Sequence, residues 1–148
     1  MSTPTNPPSQ KDVQQLFYVF QVLEDQQKGL IEQLKMLEGQ IRGVTLSKIT
    51  LEGFSEITPD QEVLLPVGAN AYTKAKLIDP SKVTVSISSD MLIEKNLEDG
   101  LNSISKLLEN YSSIKERLNG QLGDVEGKLA QIRPQIENLY RMSGIAPK

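Results

Sequence analysis

LEDGLNSISKLLENYSSIKERLNGQLGDVEGKLAQIRPQIENL, residues 97–139, is the stretch whose reading decides the fold. Leu97, Leu101, Ile104, Leu108, Tyr111, Lys115, Leu118, Leu122, Val125, Leu129, Ile132, Ile136 and Leu139 recur with alternating spacings of three and four, and Lys115 alone breaks the apolar stripe. An apolar seam that returns every ~3.5 residues keeps one face of a helix turned to a partner helix as the pair supercoils. The seam therefore predicts a coiled-coil helix and asks where its partner lies.

The partner is in the same chain. Val13, Leu16, Phe20, Leu23, Gln27, Leu30, Leu34, Leu37, Ile41, Val44, Lys48 and Leu51 follow the same spacing, with only Gln27 and Lys48 polar. Each run is about 60–70 Å long at ~1.5 Å per residue. Equal arms joined by a compact insert predict intramolecular antiparallel pairing, with the two ends of the chain together about 60 Å from the insert. Asn96 and Asp99 predict an N-cap with an acidic first turn for the second helix. The first helix is expected to fade over Glu56, Ile57 and Thr58, before Pro59.

Between the arms the period changes to two. Val83, Val85 and Ile87 alternate with Thr84, Ser86 and Ser88, the mark of a strand with one apolar and one hydroxyl face. Asp79-Pro80-Ser81-Lys82 is a turn sequence with Pro in the favoured second position. With Glu62 to Val67, Ala71 to Ile78 and the stretch from Met91, this predicts four short strands in two hairpins. Isolated hairpins are marginal in water and their edges invite pairing, so hairpins of several chains are expected to join in a shared barrel. The fold class expected is α+β, mostly α: a long antiparallel coiled-coil hairpin with two small β-hairpins at the bend, joining an oligomeric β-barrel. The divisions expected are a disordered tail over 1–10, a coiled-coil helix over 11–58, oligomerising hairpins over 59–95, a second coiled-coil helix over 96–142 and a tail over 143–148.

Composition narrows the function. Aromatics make up 5 % of the chain and Trp is absent, which argues against a large globular core. With no Cys and no His, disulfides and zinc chemistry are not expected, and no cofactor is expected. Sixteen basic and 19 acidic residues are spread along the chain without a basic patch, which argues against nucleic acid. No uninterrupted apolar run reaches the ~18 residues of a membrane span, and MSTPTNPPSQ lacks the basic start and apolar stretch of a signal peptide. Gly123–Leu129, GDVEGKL, resembles a phosphate loop but is one residue short, lacks the hydroxyl residue after Lys128 and lies in helical pattern. The glycosylation triplet at Asn110 has Tyr111 in the seam, and Glu52, Glu56 and Glu62 follow no pairing suited to acid–base work. Catalysis is not expected.

The order of elements resembles prefoldin. Val63-Leu64-Leu65-Pro66-Val67-Gly68 and Ala71-Tyr72-Thr73-Lys74-Ala75 are similar to the first strands of its α-type subunits, and Lys82 to Ile87 with Ile93-Glu94-Lys95 are similar to the later strands. Two hairpins rather than one point to the α class, of the compact kind that suits an archaeal cytoplasm. The chain departs from that pattern at Ser88, where α-type subunits often have Gly, and at Pro134 inside the distal helix. The resemblance implies an ATP-independent holdase, a hetero-hexamer of two α-type and four β-type subunits with a double β-barrel body and six coiled-coil tentacles. Their tips hold unfolded polypeptides and pass them to a group II chaperonin.

The residues offer a candidate tip. Of seven aromatics, Phe17, Tyr18 and Phe20 fall within four residues, with Tyr140 expected on the facing helix. The seam needs Leu16 and Phe20 there, so Phe17, Val19 and Val22 are surplus, and surplus exposed apolar surface marks a binding site. Leu16, Phe17, Tyr18, Phe20, Ile136, Leu139, Tyr140 and Met142 are the expected client-binding set, with Ile145 adding an apolar group beyond them. The plainer reading is that Phe17 and Tyr18 cap the coil. For oligomerisation the expected residues are Leu64, Leu65, Val67, Tyr72, Ala75, Leu77, Val83, Val85 and Ile87. A competing function is a structural or adaptor coiled coil whose tips bind one folded partner.

Overall fold

The computed structural model describes residues 8–143. Helix α1 spans Gln10–Gly53 and is followed by a single 3-10 turn, Phe54–Glu56; strands β1 (Glu62–Gly68), β2 (Ala71–Lys76), β3 (Lys82–Ser88) and β4 (Met91–Asn96) come next, and helix α2 runs Leu97–Ser143. Two long helices with two antiparallel hairpins between them in the chain are the elements expected from the sequence. The structure divides into two compact units: a coil unit, in which α1 up to Glu38 pairs with α2 from Ile114, and a hairpin unit, Gly39–Ser113.

In the coil unit the heptad seam becomes the core. Leu23, Val125 and Leu129 form a buried cluster against which Phe20, Leu30 and Ile132 pack. Leu34, Leu37, Leu118 and Ile136 are buried along the same seam. Gln27 donates its Nε2 hydrogen to Glu126 Oε1 at 3.4 Å, and Lys115, the seam's exception, reaches out to Glu38 at 3.6 Å. Both contacts cross between the helices in their antiparallel register. Pro134 cannot donate to the carbonyl one turn back, yet α2 continues past it to Ser143. The helix start is fastened by a box: Ser9 Oγ accepts from the Asp12 amide at 3.2 Å, and Asp12 Oδ2 accepts from the Ser9 amide at 3.2 Å and its hydroxyl at 2.6 Å.

In the hairpin unit β1 pairs with β2 and β3 with β4, each as a separate two-stranded antiparallel sheet. The two registers are the same. Each position of the first hairpin has its counterpart 20 residues later, as Glu62↔Lys76 and Lys82↔Asn96 show, and both ladders break at one place, after Pro66 and after Ser86. The turns differ. Gly68, Ala69 and Asn70 take φ of 110°, 43° and 63°, whereas Ser88, Ser89 and Asp90 take no positive φ. Ser88 therefore stands where its counterpart is Gly68 because its turn does not enter the left-handed region; the Ser86 hydroxyl donates to its carbonyl at 2.8 Å.

One glycine is a packing residue. A Cβ built on Gly100 would lie 2.2 Å from Val83 Cγ2, so the first turn of α2 accepts β3 only because residue 100 has no side chain. Asn96 Oδ1 accepts the Asp99 amide at 2.8 Å, the cap expected from the sequence. Lys95 Nζ adds a bond to Ser103 Oγ at 2.9 Å, and together these contacts hold hairpin β3–β4 against α2.

Candidate functional site

The coil unit carries a groove of about 480 Å³ midway, lined by Gln26, Gly29, Leu30, Gln33, Gln121, Asp124 and Val125, and a larger one at the end where α1 begins and α2 finishes. There Pro8, Asp12, Val13, Gln15, Leu16 and Val19 from the α1 side and Gln135, Asn138, Leu139 and Met142 from α2 line a groove of about 700 Å³. The capping box at Ser9 sets the direction in which the chain enters α1, and so brings Pro8 to the groove's edge.

The expected tip residues separate into three kinds. Phe17 and Tyr140 meet edge to face, ring centroids 5.5 Å apart at 76°, and both are half-buried, so this pair closes one side of the coil. Ile136, 5 % exposed, and half-buried Phe20 belong to the core. Leu16 and Leu139 line the groove, while Tyr18 at 69 % and Met142 at 71 % exposure stand free of the seam. Val13, Val19 and the three amides Gln15, Gln135 and Asn138 complete the groove. Val13 is a seam residue and Val19 one of the surplus apolar residues of the sequence, whereas the amides Gln15, Gln135 and Asn138 carry no such signal. Ile145 lies outside the described residues.

The strand residues also divide by face. Leu64, 67 % exposed, with Leu65, Val67, Tyr72 and Ile87, is open to solvent; Ala75, Leu77 and Val85 are half-buried. Val83 is 9 % exposed and points at Gly100, so it belongs to the protomer's own interior rather than to an outward surface. Outside the expected set, Leu92 is 69 % exposed, and Met91, Ile93 and Ile78 are exposed as well. On the outer faces Lys74 pairs with Glu62 at 3.4 Å and Lys82 with Glu94 at 3.6 Å. These are the same register positions with the charges exchanged. A groove of about 570 Å³ in the hairpin unit is lined by Leu46, Thr50 and Leu51 of α1, Val83 to Ser86 of β3, and Ile104 and Leu107 of α2.

Among the described residues no group of acidic, Cys or His side chains could hold a metal ion, and no helix is long and apolar enough to cross a membrane. Among the described residues the only clear departure in acidity is Asp79, held below its usual value by the Ser81 hydroxyl first and the Ser81 amide second. That is a turn, not a reactive centre.

The prefoldin subunit family matches residues 23–142. The chain is 26 % identical over 132 residues to prefoldin subunit alpha of Pyrococcus horikoshii, covering 88 % of this chain and 89 % of that one. It is 31 % identical over 112 residues to prefoldin subunit alpha of Methanococcus maripaludis, covering 76 % of each. In fold it is similar to a chain of the cryo-EM structure of filamentous prefoldin from Methanocaldococcus jannaschii, with a TM-score of 0.67 and 21 % identity over 79 % of this chain and 97 % of that one. The two hairpins, the paired seams and these relatives together make the conclusion plain: the chain belongs to the prefoldin family of chaperone subunits, as a subunit of the α type.

Proposed function

We propose that the chain is the α-type subunit of an ATP-independent holdase that captures unfolded polypeptides at the open end of its coil and passes them to a group II chaperonin in the cytoplasm. It works assembled with β-type subunits, two α with four β, through the exposed strands of its hairpins. The observation that carries this reading is the apolar groove at the end of the coil, beside exposed Tyr18 and Met142. A non-native chain presents apolar segments in no fixed sequence, and an open groove with a flexible thioether suits such ligands better than a closed pocket does.

The test is aggregation of a chemically unfolded client diluted without ATP, in the presence of this chain and a cognate β-type subunit. Replacing Tyr18, Val19 and Met142 by Ser is expected to remove protection while the assembly keeps its mass. A variant that protects as well as the parent would rule out the groove as the client site. Protection that requires ATP would overturn the holdase assignment.

A further inference from the structure

The two hairpins share a register but not an attachment. β4 ends at Asn96 and α2 begins at Leu97, so the second hairpin runs into its helix without a connecting residue. Three contacts seat it there: buried Val83 lies against Gly100, Lys95 Nζ donates to Ser103 Oγ at 2.9 Å, and Asn96 Oδ1 accepts the Asp99 amide at 2.8 Å. The counterparts of Val83, Lys95 and Asn96 in the first hairpin are Val63, Ala75 and Lys76. Val63 is only half-buried, Ala75 has no donor, and Lys76 has no acceptor with which to cap a helix. Among the described residues, no hydrogen bond or ion pair joins residues 60–77 to α1 or α2.

The first hairpin closes on itself instead. The Asp60 amide donates to the Leu77 carbonyl at 2.7 Å, and the Leu77 amide to the Gln61 carbonyl at 3.4 Å. Residues 57–59 and 78–80 connect this closed ladder to the rest of the chain, and Ile57, Pro59 and Pro80 border a groove of about 300 Å³ at its root. Asp79 is already held by the Ser81 amide, which puts the pivot on that side at exposed Ile78. A hinge needs only a few loop residues that absorb changes in φ and ψ while the body beyond them keeps its own bonds. We propose that β3–β4 is a fixed extension of α2, and that β1–β2 is a hinged arm, free to swing about 57–59 and Ile78 until a partner subunit covers its exposed Leu64, Val67 and Tyr72. The hinge stands on the contacts above, and the setting of the arm rests on the assembly reading. The fixed hairpin offers its outer face at no ordering cost, whereas the arm gives up freedom when it is covered, so a partner engages β3–β4 first.

The chain has no cysteine, so pairs of introduced cysteines carry spin labels at chosen sites alone. Thr73 and Ile93 hold the same register position and are exposed, as is Ser112 on α2. Double electron–electron resonance is measured on the full-length chain with Thr73→Cys and Ser112→Cys, and with Ile93→Cys and Ser112→Cys. In the separate chain the 73–112 distance distribution is expected to be about twice as broad as the 93–112 distribution, given the freedom of two short tethers. Adding a β-type subunit is expected to narrow the first to the width of the second. Gly100→Ala, which unseats Val83, is expected to broaden the 93–112 distribution and leave 73–112 as it was. Equal widths in the separate chain, whether narrow or broad, overturn the proposal. If the assembly forms by mass and the 73–112 distribution stays broad, the setting of the arm is overturned while the assembly reading stands. If no assembly forms, that reading falls, and the widths in the separate chain still decide the hinge.

Discussion

The coil unit and the hairpin unit are built from similar apolar residues and use them in opposite ways. Among the described residues seven of the eight buried apolar side chains lie in the coil unit, and Val83 alone lies in the hairpin unit. Of the 17 large apolar residues left exposed among the described residues, 12 belong to the hairpin unit. A helix with one apolar stripe is satisfied by one partner helix, and this chain carries both. A two-stranded sheet has two faces and two edges, and one chain covers at most one face of each. The difference teaches that the coil folds for itself and the hairpins fold for others.

The largest expected effect follows from that contrast. Leu64→Asp with Leu92→Asp places a charge on the outward face of each hairpin, positions that touch nothing the protomer needs. We expect the assembly with β-type subunits to be lost, with the mass falling to that of separate chains while the helical circular-dichroism signal stays. Retention of the full assembly mass would show that the outer faces are not the interface.

Two glycines in one helix sharpen the same comparison. Gly100→Ala drives a methyl into Val83, an overpacking that costs about 1–3 kcal/mol. The better helix propensity of Ala offsets at most ~1 kcal/mol of it. Gly123→Ala, where nothing lies within 4 Å, should instead stabilise by up to ~1 kcal/mol. Urea unfolding of the two variants gives opposite signs if Gly100 is a packing residue, and the same sign if both glycines merely loosen the helix.

These residues also mark what could be read from the sequence. Heptads, alternation and the Asn96 cap are local patterns, and each appears in the structure as an element or a bond. Gly100 looked like any other helical glycine, because its reason lies 17 residues away in Val83, a contact with no local signature. The shared register of the hairpins escaped because the side chains changed while the backbone pairing did not: Glu62 and Lys74 became Lys82 and Glu94, Pro66 became Ser86. At the coil's end the aromatic cluster drew attention to Phe17 and Phe20. Both are spent on packing, and the groove is lined by Leu16, Leu139 and Met142 of the same expected set together with Val13, Val19 and three amides.

The hairpin turns give a smaller effect. Ala69 is held at φ 43°, a left-handed conformation that costs an L-residue about 1 kcal/mol. Ala69→Gly should therefore raise stability by about 0.5–1 kcal/mol in thermal unfolding, less what the glycine gains in freedom when unfolded. Ser89→Gly, in the matching turn without positive φ, should lower it slightly. Equal effects at the two sites would mean that the turns are not as different as their backbones.

The smallest effect expected is a pH dependence confined to the turn that joins the hairpins. The Asp79 carboxylate accepts the Ser81 hydroxyl and, at 3.0 Å, the Ser81 amide, while the Lys82 amide closes the turn on the Asp79 carbonyl at 3.4 Å. These donors favour the charged form, with the Lys82 charge adding a little, so the folded-state pKa lies below the usual 3.8. A group with a depressed folded pKa binds protons more readily when the chain is unfolded. Its contribution is therefore complete above 3.8 and disappears as the pH falls through the lower folded value. Asp79→Asn keeps an oxygen acceptor but removes the charge. The melting-temperature difference between parent and variant should stay constant from neutral pH down to about 3.8 and close below it. A difference that persists unchanged into strong acid would assign the turn's stability to Pro80 and the backbone bond rather than to the carboxylate.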